Sequence, residues 1–186
     1  MKNKNYSKDK KQLLAILKKL SFKKKRVVLA SGKTSNYYFD GRISSLSSQG
    51  SYLMGKIILN MIKNDKITAI GGLTLGADPI IGATIALSCK TKTPLNGFIV
   101  RKNEKNHGMQ NLIEGPALKK LSKVLIIDDV VTTGSSTIKA IEAIKKIGCK
   151  ISRVIAIVDR CEGAAENIKK FGCKLESIFT IDDFNI

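Results

Sequence analysis

Residues that build metal centres and disulfide frameworks are scarce in this sequence. It contains one histidine, and its four cysteines form no Cys-x-x-Cys pair. Structural zinc sites need cysteine or histidine ligands at characteristic short spacings. The sequence therefore argues against zinc, and we predict no metal ligands among the side chains. We also expect Cys89, Cys149, Cys161 and Cys173 to be reduced thiols, as is usual in a cytoplasmic chain of this size.

Long apolar runs are absent as well. No run approaches the roughly 20 residues that span a bilayer. The polar, lysine-rich residues 1–10 are not followed by the apolar segment of a signal peptide. At 186 residues, 43% of them hydrophobic, the chain is long enough to bury a substantial core. We predict one domain over residues 1–186, in a soluble cytoplasmic protein without membrane contact.

Acidic residues are few. The chain has 15 Asp and Glu against 33 Lys and Arg, which gives a net charge of +18. Residues 1–26 contain eleven of the basic side chains and one Asp, so +10 of the charge lies there and +8 in the remainder. Surfaces for single-stranded nucleic acid interleave cations with aromatic rings, and no such interleaving accompanies these lysines. We favour a general lysine bias with small anionic substrates, and RNA binding is the less favoured alternative.

Two common nucleotide-binding motifs are missing: the Walker Gly-x-x-x-x-Gly-Lys-Ser/Thr loop and Gly-x-Gly-x-x-Gly. One segment, residues 123–137, stands out instead. Its four branched apolar residues at 124–127 show no polar alternation, which is typical of a strand buried on both faces in a parallel sheet. Asp128 and Asp129 end that run, and an amphipathic helix is predicted over 138–147. The segment therefore predicts a strand, a turn and a helix.

The turn of this segment, Thr132–Thr137, has the chemistry of a phosphate site. Backbone N–H groups at a helix start lack internal partners and lie at the positive end of the helix dipole. Gly134 allows close approach of an anion, and the hydroxyls add donors. Asp128 and Asp129 would repel a phosphate but suit the hydroxyls of a sugar, or a cation beside it. The alternative is ordinary helix capping; we favour a phosphorylated sugar.

Two other segments have a related character. The glycine-rich residues 71–79 follow a predicted strand over 67–70 and precede a predicted helix over 79–88, so their amides could also contact phosphate. The segment 101–115 is long, polar and without periodicity. It is either a mobile active-site loop or a solvated surface loop, and it contains the only histidine, His107.

The segment Asp128–Ser136 resembles the phosphoribosyl pyrophosphate (PRPP) signature of the type I phosphoribosyltransferases. The resemblance implies an α/β fold, with a mainly parallel sheet flanked by helices and a small hood built from about residues 1–45 and the C-terminal segment. It also implies that the acids hold the ribose hydroxyls while the turn wraps the 5′-phosphate. The implied PRPP contacts in this part of the chain are Asp128, Asp129, Val130, Val131, Thr132, Thr133, Gly134, Ser135 and Ser136.

Three more segments, residues 31–42, 98–108 and 159–163, resemble the orotate phosphoribosyltransferase family in particular. Without the resemblance, the aromatic run at 37–39 would be interpreted as strand packing, and Arg160 as equally suited to an ion pair. The resemblance implies that Tyr38 and Phe39 lie against the orotate ring and that Arg160 recognises its carboxylate. The implied orotate contacts are Tyr38, Phe39, Thr132 and Arg160.

One position of this chain departs from the family pattern, and one further segment, the loop at 101–115, matches it. Enterobacterial-type members carry a PRPP-contacting lysine where this chain has Ala30, and Lys33 is the candidate replacement. The loop at 101–115 resembles the family's catalytic loop, which reaches into the neighbouring subunit of a homodimer. Its implied PRPP contacts are Arg101, Lys102, Lys105 and His107, and the implied catalytic residues are Lys105, His107 and Asp129.

These features predict an enzyme that joins PRPP and orotate, releasing pyrophosphate and giving orotidine 5′-monophosphate, with Mg²⁺ held mainly by PRPP. Two alternatives stay open. One is a phosphoribosyltransferase for another base, such as a purine; the other is a non-catalytic regulator of the same fold that binds RNA.

Overall fold

The computed structural model describes residues 4–28, 34–103 and 112–185. The helices are α1 Lys4–Leu20, α2 Gly41–Ser45, α3 Ser48–Ile62, α4 Asp78–Ser88, α5 Ser135–Lys146, α6 Ala164–Lys169 and a final 3₁₀ helix Ile181–Phe184. The strands are β1 Phe22–Lys23, β2 Val27–Val28, β3 Thr34–Ser35, β4 Tyr38–Phe39, β5 Ala69–Leu73, β6 Asn96–Val100, β7 Ile113–Glu114, β8 Lys123–Val131, β9 Lys150–Asp159 and β10 Leu175–Thr180.

The centre of the fold is a six-stranded sheet in the order β10-β9-β8-β5-β6-β7. Only β7 runs antiparallel to its neighbour, and the other pairings are parallel. The prediction of a mainly parallel sheet flanked by helices is therefore confirmed.

Helices cover both faces of this sheet, which explains the unbroken apolar run in β8. Leu125 and Ile127 face a layer formed largely by α1, α3 and α4, whereas Val124 and Ile126 face a layer formed by α5 and α6. All four side chains are fully buried. A strand buried on both faces needs apolar side chains at odd and even positions alike.

The N-terminal strands form two small antiparallel ribbons outside the main sheet. β1 pairs with β4, placing Phe22 opposite Phe39, and β2 pairs with β3. The 3₁₀ helix closes onto the first ribbon through Phe184, whose ring lies 5.5 Å from that of Phe22 and 5.2 Å from that of Phe39. Aromatic contacts thus pack the C-terminal 3₁₀ helix against the first N-terminal ribbon.

A half-buried arginine connects the far side of the sheet to α3. Arg153 on β9 forms an ion pair with Glu176 on β10 and another, at 3.1 Å, with Asp65. It also donates a hydrogen bond to the carbonyl of Met61. This network joins two strands to the end of a helix.

Three predicted boundaries were wrong. The strand predicted over 124–127 continues through both carboxylates to Val131, because Val130 and Val131 pair with β9. The strand predicted to end at Ile70 includes Gly71 and Gly72, which remain in register with β6. The helix predicted from residue 138 begins at Ser135.

Among the residues that the structure describes, no helix combines the length and the apolar character needed to cross a membrane.

Candidate active site

The site lies at the point in the sheet where the connections from two neighbouring strands lead in opposite directions. β5 and β8 are hydrogen-bonded neighbours, but β5 pairs with β6 on one side while β8 pairs with β9 on the other. In an open α/β sheet such a switch point leaves a crevice outside the carboxyl ends of the strands. The loops that follow β5, β8 and β9 therefore meet at one edge. The predicted acids lie at the carboxyl end of β8, and the predicted phosphate-binding turns and arginine segment lie on these loops.

Asp128 and Asp129 stand on β8 at this crevice, and strand geometry directs their side chains to opposite faces. Asp128 faces α5, where its Oδ2 accepts a hydrogen bond from Thr137 Oγ1 at 2.8 Å. Its Oδ1 accepts one from the backbone N–H of Asp129 at 3.1 Å. Asp128 is therefore held at both oxygens by the protein.

Asp129 is enclosed by backbone instead. A Cβ on Gly76, in the loop after β5, would lie 2.3 Å from its Oδ1, and a Cβ on Gly41, at the start of α2, would lie 2.7 Å from its Oδ2. Side chains at either position would overlap the carboxylate. Its Oδ1 also accepts a hydrogen bond from the N–H of Val130 at 2.9 Å. The two glycines allow the loop and the helix to close around this acid.

Burial makes both acids harder to ionise than a free aspartate. Desolvation, reinforced by the charge of Asp129 and opposed by the hydrogen bond from Thr137, raises the pKa of Asp128 to about 7. Desolvation also raises the pKa of Asp129, and the charge of Asp40 acts in the same direction. A polar, cationic or hydroxyl-bearing ligand would relieve the cost of ionising these groups.

The turn after β8 supplies the anion-binding geometry. Gly134 has φ 81° and ψ 11°, a left-handed conformation that glycine adopts without strain, and it forms the N-cap of α5. No side chain among the described residues caps this helix, and its first turn contains no acidic residue. The hydroxyls of Thr133 and Ser135 lie 2.8 Å apart. Exposed helix-start amides flanked by hydroxyls suit a phosphate.

The two predicted valines differ in how far their side chains are accessible to a ligand at this turn. Val131 is buried in the core, and Val130 is half-buried, with its side chain against Gly41. Thr132 is half-buried, whereas Thr133, Ser135 and Ser136 are exposed.

The loop after β5 is anchored at its start. The N–H of Thr74 donates to the carbonyl of Val100 at 2.9 Å, and Thr74 Oγ1 donates to Asp78 Oδ2 at 2.7 Å. The other oxygen of Asp78 is buried and has no hydrogen-bond partner among the described residues. The loop thus stands beside Asp129 with fixed ends.

Arg160 follows β9 and is nearly buried. Its Nε donates to the hydroxyl of Tyr37 at 3.0 Å, and its guanidinium carbon lies 4.8 Å from the centre of that ring. Its Nη2 forms an ion pair with Glu162 at 2.9 Å. Its backbone N–H donates to the carbonyl of Val131 at 2.9 Å, which joins it to the end of β8. Arg160 forms an ion pair, as one of the two interpretations of the sequence predicts, and its position at the site is also compatible with the other, a contact to substrate.

The aromatic residues of β4 are separated by strand alternation. Tyr38 is exposed, and its hydroxyl donates to Asp40 at 3.4 Å. Phe39 is buried edge-on against Phe184. The structure brings Tyr38 to the surface beside the site, whereas the Phe39 side chain is directed into the core.

The predicted cations are only partly described. Arg101 and Lys102 follow β6 at the same edge of the sheet. Arg101 Nη1 lies 3.5 Å from Glu114, and its N–H donates to the carbonyl of Leu112. The predictions on Lys33, Lys105 and His107 lie outside the described residues.

Four side chains of the site were not selected from the sequence: Tyr37, Asp40, Thr137 and Glu162. Tyr37 and Arg160 are 123 residues apart in the chain, and a single sequence carries no signal for such a pair. Strand alternation within the aromatic run would have separated Tyr38 from its two neighbours. Thr137 lies within the hydroxyl-rich turn but is the one directed at Asp128.

Comparisons with known proteins agree with this geometry. The family model described as the phosphoribosyl transferase domain matches residues 51–185. The orotate phosphoribosyltransferase of Nostoc sp. is 41% identical over 172 residues, 92% of this chain and 83% of that protein. The orotate phosphoribosyltransferase of Rhodopirellula baltica is 36% identical over 192 aligned positions, 100% of this chain and 99% of that protein.

A solved structure gives the same result in three dimensions. The Mycobacterium tuberculosis orotate phosphoribosyltransferase in complex with PRPP has a TM-score of 0.80 and 32% identity, covering 96% of this chain and 99% of that chain. The chain therefore belongs to the phosphoribosyltransferase family and, within it, to the orotate phosphoribosyltransferases.

Proposed function

We propose that this chain transfers the 5-phosphoribosyl group of PRPP to orotate in pyrimidine biosynthesis. A bond forms between the ribosyl carbon and a ring nitrogen of orotate while the bond to pyrophosphate breaks, and the proton of that nitrogen passes to the departing pyrophosphate or to water. The products are orotidine 5′-monophosphate and pyrophosphate. One observation carries the proposal: a phosphate-binding turn, two carboxylates and a nearly buried arginine meet at the switch point of the sheet.

The turn at 132–136 and the two acids form the PRPP half of the site. The amides at the start of α5 bind the 5′-phosphate. Asp128 and Asp129 hold the ribose hydroxyls, and their negative charge favours the positive character that the ribosyl carbon gains as pyrophosphate leaves. The amides of the loop at 75–77 contact the pyrophosphate.

The hood and Arg160 form the orotate half. The exposed ring of Tyr38 stacks on the flat base. Arg160 binds the carboxylate of orotate through its planar guanidinium. The orotate contacts implied by the family resemblance also include Phe39 and Thr132. The burial of the Phe39 ring restricts this residue to a backbone contact.

The donor set at the crevice fits a Mg²⁺ ion held mainly by PRPP. Mg²⁺ keeps several waters and is usually bound through one or two carboxylates together with substrate phosphates. Asp128 and Asp129 supply carboxylates, and the residues that the structure describes contain no cluster of three or more potential metal ligands. When bound, the ion would screen the charge of the leaving pyrophosphate.

A dimer completes the proposal. Apolar side chains of Ile43, Leu46 and Leu75 are exposed around a cavity of about 480 Å³ beside Asp40 and Asp78. Such a patch next to the crevice suits a second copy of this chain, whose loop at 101–115 would supply Lys105 and His107. These cations would stabilise or protonate the leaving group.

Substrate turnover tests the reaction. The protein is incubated with PRPP, Mg²⁺ and, in parallel, orotate, uracil, hypoxanthine or adenine. Release of pyrophosphate with orotate alone is expected. Turnover only with a purine would identify a different phosphoribosyltransferase, and RNA binding without any turnover would identify a regulator.

Mixed dimers test the shared loop. We expect Lys105→Ala to lower kcat far more than it weakens orotate binding, and Asp129→Asn to be impaired as well. If the loop acts across the interface, refolding the two variants together restores about a quarter of wild-type activity, because half of the dimers regain one complete site. No recovery in proven heterodimers would place the loop in its own subunit.

A further inference from the structure

The carboxylate-binding arginine of the site is already occupied by a carboxylate of the protein. Arg160 Nη2 lies 2.9 Å from Glu162 Oε1. The Arg160 side chain is 7% exposed, and a cation with so little access to water requires a partner. Orotate would bring a second carboxylate to the same guanidinium. The free protein therefore has to satisfy this cation before the substrate arrives.

The other contacts of Arg160 hold it in place. Its Nε donates to the hydroxyl of Tyr37, and the Tyr37 ring lies against its guanidinium face. Tyr37 in turn stacks on Phe22, with ring centres 5.8 Å apart. The backbone N–H of Arg160 is bonded to Val131 at the end of β8. Arg160 is thus fixed from two directions by elements of the core and the N-terminal ribbon.

Glu162 is the movable member of the pair. Its side chain is 38% exposed, and it lies in the short connection between β9 and α6. Two residues of that connection, Cys161 and Gly163, have positive φ angles of 57° and 95°. Glu162 can rotate into solvent at little cost, because a carboxylate in water is well solvated, whereas Arg160 cannot follow it.

We propose that Glu162 is an internal substitute for the orotate carboxylate. It neutralises Arg160 in the free protein and is displaced when orotate binds, while Tyr37 is the positioning residue that keeps the guanidinium in place during the exchange. This inference rests on the proposed function. A base that lacks a carboxylate cannot replace Glu162, so the Arg160–Glu162 ion pair stays formed. Selectivity for orotate then rests on the difference between the binding free energies of the orotate carboxylate and of Glu162 at Arg160.

The proposed exchange predicts the direction in which the affinity for orotate changes. Because orotate has to displace Glu162, removing the charge of Glu162 should tighten orotate binding. We expect Glu162→Gln to lower the Kd of orotate about two- to fivefold, the range given by a partly exposed ion pair. The Kd of PRPP and the weak binding of uracil should be unchanged.

Titration calorimetry with orotate, uracil and PRPP tests this in the wild type and three variants. Glu166→Gln is the matched control, because it removes an acidic charge nearby, in the first turn of α6, and should leave the Kd of orotate unchanged. Tyr37→Phe keeps the ring but removes the acceptor of Arg160 Nε. In steady-state kinetics, Tyr37→Phe should raise the KM for orotate about fivefold while leaving the KM for PRPP near wild type. Its melting temperature should also stay near wild type.

The outcomes separate the inference from the reaction. Wild-type turnover of orotate together with weaker or unchanged orotate binding by Glu162→Gln would overturn the exchange and leave the proposed function standing. A Tyr37→Phe variant that changes both KM values equally would show that Tyr37 supports the fold and does not position Arg160. Failure of the wild type to bind or turn over orotate would overturn both proposals.

Discussion

At the scale of single residues, the fold strongly affects the ionisation of Asp128. It is buried, it lies beside a second carboxylate, and its pKa is raised to about 7. An aspartate in the unfolded chain ionises near its ordinary value, about 3.9. Between these two values the folded protein retains a proton that the unfolded chain has released.

This difference predicts a pH-dependent stability. Since the folded state binds more protons between about pH 4 and 7, the free energy of unfolding falls as pH rises through that window. The slope from this proton is at most about 1.4 kcal/mol per pH unit. Urea unfolding of the ligand-free protein from pH 4.5 to 7.5 measures it. Asp128→Asn should flatten the curve, and an equal slope in both proteins would contradict the assignment.

Thr137 should act through Asp128. Thr137→Val keeps the shape but removes the hydrogen bond that lowers the pKa of Asp128, so that pKa should rise further. We expect kcat/KM for PRPP to fall about tenfold and its acidic limb to move to higher pH. Thr137→Ser retains the hydroxyl and serves as the control. A Thr137→Val profile that is lower at every pH but not displaced would indicate a packing role alone.

At the scale of elements, β5 shows why glycine can be required inside a strand. A Cβ on Gly72 would lie 2.1 Å from the carbonyl oxygen of Ile127 on β8. By contrast, none of the residues that the structure describes lies within 4 Å of a Cβ placed on Gly82 in α4. The two positions therefore give opposite predictions for the same substitution.

Gly72→Ala should destabilise the protein by about 3 kcal/mol, because the neighbouring backbone has to move. Gly82→Ala should stabilise it by about 0.5 to 1 kcal/mol, since alanine favours the helix and meets no neighbour. Denaturant unfolding of both variants measures the pair. Similar effects of the two substitutions would show that β5 tolerates a wider spacing from β8.

The same elements show what a sequence can predict. Buried strands and amphipathic helices were found because apolar runs and helical spacing are local patterns. The end of β8 was missed because a carboxylate normally marks exposure, and here Asp128 stays in the strand by bonding to Thr137. Gly71 and Gly72 were assigned to a turn because their use as small strand residues depends on Phe98 and Ile127. Those contacts are made between distant parts of the chain.

The candidate site divides in the same way. The acids and the phosphate turn lie within one segment, 128–136, and were predicted together. The surroundings of Arg160 depend on Tyr37, which comes from the opposite end of the chain. The aromatic run was treated as a unit, although alternation directs Phe39 inward and Tyr38 outward.

At the scale of the whole molecule, a net charge of +18 on 186 residues should oppose folding through self-repulsion. Raising KCl from 50 to 500 mM should therefore raise the melting temperature, by about 2 to 4 °C for each kcal/mol of repulsion relieved. Choline chloride should act equally, because screening does not depend on the cation. A melting temperature that falls with both salts would show that attractive ion pairs, such as those of Arg153, dominate.

The pairing of β8 with β9 has a consequence for how this catalyst could change its substrate. Asp128 pairs with Ala156 and Val131 with Asp159, and Arg160 is bonded to Val131. The sugar-holding and base-holding groups thus stand on adjacent strands, about 4.8 Å apart across the sheet, and are offset by roughly 13 Å along it. The distance between these two groups is set by the backbone spacing of the strands and not by side chains. Exchanging the residues after β9 could therefore redirect the protein to another base while the point of bond formation stays where it is.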